Sequence, residues 1–150
     1  MDREREGGVA ARRIVWLGVA YGAVFNVLGW LGNNVLFGDD WDAVNSAVRA
    51  GFVAPWPNLV RELVTLLSDF IYAFAFVWLF ASARRQTIAF AVQLAMVLWS
   101  SGVALLYLVL VNGGFLPAGI ALKTSLLALA IFVAAAPTLP NALKTGSRKS

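Results

Sequence analysis

Four unbroken apolar runs leave this chain few folds to choose from. They occupy residues 14–37, 59–81, 88–111 and 115–136. A hydrocarbon core of ~30 Å needs about 20 helical residues at 1.5 Å rise each, and every run is long enough. In lipid each backbone N–H and C=O must be satisfied within a helix or a closed barrel. The runs are continuous rather than alternating, so they read as helices. The expected fold is all-α: a polytopic membrane protein built as a left-handed, up-down bundle of four transmembrane helices. A polar tail (1–13) precedes the membrane domain (14–136), and a basic tail (137–150) follows it. Composition agrees. The chain is 60% hydrophobic and 13% charged, against roughly 45–50% and about 25% in soluble domains.

The first run follows arginines, as a signal peptide would. Its apolar stretch exceeds an h-region of about 7–15 residues, and no A-x-A-like site ends it, so it reads as a retained helix. The net charge of +4 does not point to nucleic acid, because the basic residues lie beside the apolar runs and act there as topology signals. Arg3, Arg5, Arg12, Arg13, Arg84, Arg85, Lys144, Arg148 and Lys149 fall on one side of a four-span arrangement. Arg49, Arg61 and Lys123 fall on the other. This split places both termini in the cytoplasm, in a bacterial inner membrane, with the lipid bilayer as the first partner.

The connection between the first two runs is the longest. Asp39 and Asp40 suit a helix start. Trp41, Val44, Val48 and Phe52, with Ala47 beside them, recur at helical spacing. A short amphipathic helix on the outer surface is expected, its apolar face in the headgroups, ended by Gly51 and the Pro55-Trp56-Pro57 turn. Trp41 and Trp56 fit an outer aromatic belt, and Trp16 and Trp78 an inner one. Asn112-Gly113-Gly114 reads as a tight turn, and Pro117 suits a helix start.

The chain has no Cys and no His. Disulfides, thiol catalysis and the usual zinc, haem and copper ligands are therefore excluded. Ser100 and Ser101 have no His to serve as base. Glu62 and Asp69 lie about 10 Å apart along one helix, too far for a carboxylate dyad. No glycine-rich phosphate loop is present. The expectation is no enzyme, no metal and no cofactor.

The polar residues inside the runs form three groups. Gly18, Gly22, Asn26, Gly29 and Asn33 share a face of the first helix, where small residues permit close approach and Asn can hydrogen-bond across the contact. Packing within the chain and homodimerisation both suit that face. Arg61, Glu62, Thr65, Ser68, Asp69 and Tyr72 make a stripe on the second helix. Arg61 and Glu62 can snorkel to the surface. Asp69 lies ~9 Å below it, where an acid costs roughly 2.5–3.5 kcal/mol unless it faces protein or water. Lys123, on the fourth helix, reaches a similar depth of ~9 Å. It either snorkels outward or pairs with Asp69 or Glu62, with Asn33 adding a hydrogen bond. Gln93, Ser100 and Tyr107 recur every seven residues on the third helix and suggest a modest polar seam facing the bundle interior.

Asn33 and Asn34 before VLFGDDWDAV, VWLFASARR closing the second helix, Trp99 in the third and GGFLPAGI opening the fourth resemble a group of uncharacterised small four-helix bacterial integral membrane proteins. The resemblance runs from about Val15 to Ala136. It implies the fold and the compartment and carries no activity and no site residues. The turn at residues 82–87 departs from the group, in which it is often longer and Gly-rich.

Two functions are consistent with these features. One is a non-enzymatic protein of assembly or interaction, acting as a homo-oligomer or with another membrane protein. The other is a small transport or proton-conducting protein using Asn33, Glu62, Asp69 and Lys123. Hydration separates them: transport needs a water-accessible cavity reaching Asp69, whereas assembly needs Asp69 buried and paired.

Overall fold

A computed structural model describes residues 2–49 and 58–144, and the described residues are helical almost throughout. The helices are α1 (Asp2–Leu31), α2 (Gly38–Arg49), α3 (Asn58–Ser82), α4 (Ile88–Leu98), α5 (Leu105–Asn112), α6 (Ala118–Ala135) and α7 (Leu139–Lys144). A π-helical segment, Gly32–Leu36, continues α1, and a second, Trp99–Ala104, joins α4 to α5. A 3-10 turn, Ala136–Thr138, joins α6 to α7. Four stretches are long and apolar enough to cross a membrane: Ala11–Leu36, Leu63–Ser82, Ile88–Asn112 and Ala118–Leu143. This is the architecture of a multi-pass helical membrane protein.

Two boundaries differ from expectation. The polar tail is not separate from the first span: helix runs unbroken from Asp2 into it, and the Arg13 guanidinium donates to the carbonyl of Ala142. The fourth span does not stop at Ala136. Pro137 and Pro140 fall at or near the first positions of new helical turns, where a missing N–H costs little, so the chain re-enters helix as α7. Leu139 is fully buried, and Tyr21 and Thr138 hydroxyls are hydrogen-bonded. The expected polar tail therefore begins inside the packed body.

The spans are antiparallel neighbours in a closed ring. Gly18 faces Phe74 and Gly22 faces Phe70, which aligns α1 with α3. A side chain at either glycine would collide with the ring opposite it. Phe25 stacks near Phe132, and Gly32 meets Leu127, which aligns α1 with α6. Spans two and three turn back on each other at Ala83–Gln86, where Thr87 caps α4 by accepting from Phe90 N at 3.2 Å. Spans three and four join through Gly113 and Gly114. Gly114 has φ +74°, a conformation open to glycine and costly for other residues.

The core fills the half of the bundle that carries the termini. Tyr21, Phe25, Ala73, Phe76, Val77, Phe80, Ala91, Ala95, Phe132, Ala136 and Leu139 form it. Phe132 is its hub, with ring centroids of Phe25 at 4.7 Å and of Phe76 and Tyr72 at 6.3 Å. Each such pair contributes about 0.5–1.5 kcal/mol beyond burial. This matters in lipid, where helix association rests on packing rather than on water exclusion. Outside the ring, side chains such as Trp16, Leu28, Trp30, Ile71, Trp78 and Leu108 are exposed, an apolar girdle that a bilayer would cover.

Both π segments are satisfied by side chains of their own helix. Ser100 and Ser101 hydroxyls reach the Val97 carbonyl at 3.1 and 2.7 Å. Asn33 and Asn34 amides reach the Gly29 and Trp30 carbonyls, each at 2.9 Å. The second segment also corrects the expected seam on span three. The inward face runs Ala91, Ala95, Trp99, Val103, Tyr107. Four steps of four residues drift ~160° round a regular helix at ~100° per residue, and the wider π turn takes back part of that drift. Tyr107 consequently faces the bundle, while Gln93 and Ser100, seven residues apart on the unshifted part, are exposed.

Candidate functional site

Two pieces of structure at the α2 end frame the site. The first is a joint. The chain leaves the π segment at Phe37 and turns into α2, whose first turn carries Asp39 and Asp40. Trp41 and Val44 of α2 do not face outward as a headgroup anchor would. They pack with Phe37 on Leu116, Ile120 and Ala121 at the start of span four. The reason is polar as well as apolar. Trp41 Nε1 donates to Asn33 Oδ1 at 3.0 Å, and Thr124 Oγ1 donates to the same oxygen at 3.3 Å. One carbonyl oxygen with two lone pairs thereby ties α1, α2 and α6 together. Of the other features expected there, the Ala47 and Val48 side chains, Phe52, Gly51 and the Pro55-Trp56-Pro57 turn lie outside the described residues.

Lys123 completes the joint. Its ammonium lies 2.6 Å from Asp40 Oδ2 and 5.9 Å from the centre of the Phe37 ring. The expected pair with Asp69 does not form. Adjacent positions on α6 point apart: Thr124 turns inward to Asn33, and Lys123 turns outward to Asp40 of α2. The Glu62 side chain lies outside the described residues. Asp40, the actual partner, carried only the signal of a helix-start residue.

The second piece is a cavity of about 920 Å³ between the four spans. It is lined by α1 from Phe25 to Asn34, α3 from Leu59 to Tyr72, Val103, Leu106 and Tyr107 of span three, and α6 from Thr124 to Phe132. Phe25, Tyr72 and Phe132 make its floor where the aromatic core begins. Its α3 wall extends ~20 Å, from Leu59 to Tyr72. The ring Tyr72 lies against Gly102, so α3 touches span three there. Toward the α2 end, α3 and α5 stand on opposite walls of the cavity.

Most of its walls are apolar, and the polar groups among them are largely engaged. Asn26 Nδ2 donates to Gly22 O at 2.9 Å and to Leu66 O at 3.4 Å, bridging α1 to α3. Ser68 donates to Val64 O at 2.8 Å. The hydroxyls of Tyr107 and Thr124 face each other. Asp69 differs. Half-buried on the α3 wall, it accepts no hydrogen bond and joins no ion pair among the described residues. Among the described residues it is the one charged side chain lining the cavity.

The residues singled out in sequence thus separate into three roles. Asn33 and Lys123 belong to the joint, Asp69 to the cavity. Gly18 and Gly22 belong to the α1–α3 contact, with Asn26 at its upper edge. Gly29 packs against nothing within 4 Å of a would-be side chain and lines the cavity instead. No known protein family, curated protein or solved structure matches this chain.

Proposed function

We propose that this is a non-enzymatic protein of a bacterial inner membrane, with both termini cytoplasmic, that binds a lipophilic ligand in the outer half of the bilayer. The observation that carries the reading is the cavity reaching an acid without a protein partner. An assembly protein needs no such space, and its intramembrane acid would be buried and paired. Ligand sites typically measure about 300–1,000 Å³ and are apolar with a few placed polar groups. This cavity has that size and that lining. The aromatic core beneath it fills the cytoplasmic half, so the arrangement supports binding from the outer half and offers no continuous path across.

The orientation rests on the distribution of basic residues; on that reading α2 and the neighbouring end of the cavity face outward. The chain is free of cysteine, so introduced thiols test both claims. Ser68→Cys and Ala128→Cys, on opposite walls, should react with a small maleimide in membranes. Val77→Cys, in the sealed core, should not. Ser46→Cys, exposed on α2, should react with an impermeant reagent added outside intact cells. Unreactive thiols at both Ser68 and Ala128 would mean a packed interior and remove the reading.

A further inference from the structure

We infer that the ligand is a monovalent lipophilic cation, an apolar body carrying one positive charge, seated with that charge beside Asp69. The inference rests on the reading of the cavity as a ligand site and specifies what the site accepts.

Four observations lead there. The first is sign. Among the described residues Asp69 is the one charged side chain on the wall, and Lys123 is committed to Asp40 outside the cavity. Among the described residues an anion entering this space meets a carboxylate and no cation.

The second is the disposal of donors. The amides of Asn26, Asn33 and Asn34 and the hydroxyl of Ser68 donate to carbonyls of their own helices, and Asn26 also to Leu66 O across the α1–α3 contact. The Thr124 hydroxyl donates to Asn33. These five groups are spent on protein acceptors and none of them reaches Asp69. A carboxylate in an apolar surround is stabilised most by an opposite charge within about 4–6 Å.

The third is the surface around it. Tyr72, Tyr107, Phe25, Phe132 and Trp30 line the same space. Aromatic faces attract a cation within about 6 Å and accept an apolar body equally well.

The fourth argues against a divalent metal ion. Hard divalent cations take six or more oxygen ligands, several of them carboxylates. Among the described residues no three acidic side chains come together.

The experiment uses the purified chain in lipid nanodiscs and equilibrium dialysis, corrected against empty nanodiscs. The probes are tetraphenylphosphonium, tetraphenylborate and neutral triphenylphosphine oxide, which share a phenyl shell and differ in charge. The phosphonium should bind at least about tenfold more tightly than the borate, a difference of ~1.4 kcal/mol. Asp69→Asn should weaken the phosphonium by a similar factor and leave the phosphine oxide unchanged. Asp69→Glu should retain binding, which separates loss of charge from loss of fold. Asp40→Asn, which removes an acid outside the cavity, should leave binding intact. Ala128→Trp, which fills the space, should abolish all three. Equal binding of the two ions, or a phosphonium affinity unmoved by Asp69→Asn, overturns the cation while sparing a cavity that Ala128→Trp still blocks. Failure of every probe to bind overturns both the cation and the ligand site.

Discussion

Asp40 and Lys123 are joined at 2.6 Å across 83 residues of sequence, and the bond fastens the start of α2 to the first turns of span four. Both side chains are substantially exposed, Lys123 at 51% and Asp40 at 42%. An ion pair so placed is worth about 0.2–1 kcal/mol. A double-mutant cycle of Asp40→Asn with Lys123→Met, read by unfolding in detergent, should return a coupling in that range that shrinks in high salt. The parallel cycle of Asp69→Asn with Lys123→Met should be additive within about 0.5 kcal/mol. Coupling in the second cycle and none in the first would reverse the assignment.

Asn33 should matter more than the ion pair. Asn33→Ala removes the acceptor of two donors at once, leaving the Trp41 indole and the Thr124 hydroxyl without it. Unsatisfied groups of this kind cost roughly 1–3 kcal/mol, and bonds between membrane helices average near the low end. A loss of about 1–2 kcal/mol is expected, with Trp41→Phe and Thr124→Val each losing less. Equal stability of Asn33→Ala and the parent would mean that apolar packing alone seats α2.

The glycines of span one should divide sharply. Gly22→Leu forces α1 away from Phe70, an overpacking worth about 1–3 kcal/mol, and Phe70→Ala in the same chain should recover part of it. Gly29→Ala meets open space. It should be neutral or stabilising by up to about 1 kcal/mol, since alanine favours the helix. Thermal unfolding of the three variants decides the matter. A destabilised Gly29→Ala would show that this face contacts something else, a second copy of the chain first.

Trp99 provides a check on the π segment. Its indole N–H donates to the Ser125 carbonyl at 2.8 Å, from span three to span four. Trp99→Phe keeps the ring and removes the donor, which should cost about 0.5–1.5 kcal/mol. Deleting Ser101 would restore an unbroken i→i+4 ladder but rotate Tyr107 by ~100° out of the cavity. That variant should still insert in membranes and lose binding of the phosphonium probe.

The positions of the spans were legible because lipid imposes one length and one backbone solution on all of them. The helix after Phe37 was legible from its spacing of Trp41 and Val44, though not the surface it covers. Periodicity reports that a face is apolar and says nothing of whether lipid or protein meets it. Lys123 shows a second limit. Counting residues gives height along a helix but not direction around it, so Lys123, matched to Asp69 by that count, turns to Asp40 instead. Span three shows a third. Seven-residue spacing assumes a regular helix, and Gln93, Ser100 and Tyr107 lost their common face at a π turn that no residue type announces. The prolines after Ala136 carried a stop signal, yet each fell where a helix can begin again.

The joint at Asn33 has a mechanical corollary. Spans one and four are held to α2 by a shared oxygen, an ion pair and a packed apolar cluster, so that end of the bundle behaves as a hooped frame that cannot spread. Span two is outside the hoop. It is gripped low down, where Phe70 and Phe74 bed on Gly22 and Gly18 and Tyr72 lies on Gly102. Asp69 sits at the top of that grip, between Phe70 and the Asn26–Leu66 hydrogen bond, and above it the wall carries Thr65 and Leu63 along the cavity. Any change in the size of the cavity therefore falls to one moving jaw against a fixed one, and the jaw pivots beside the acid.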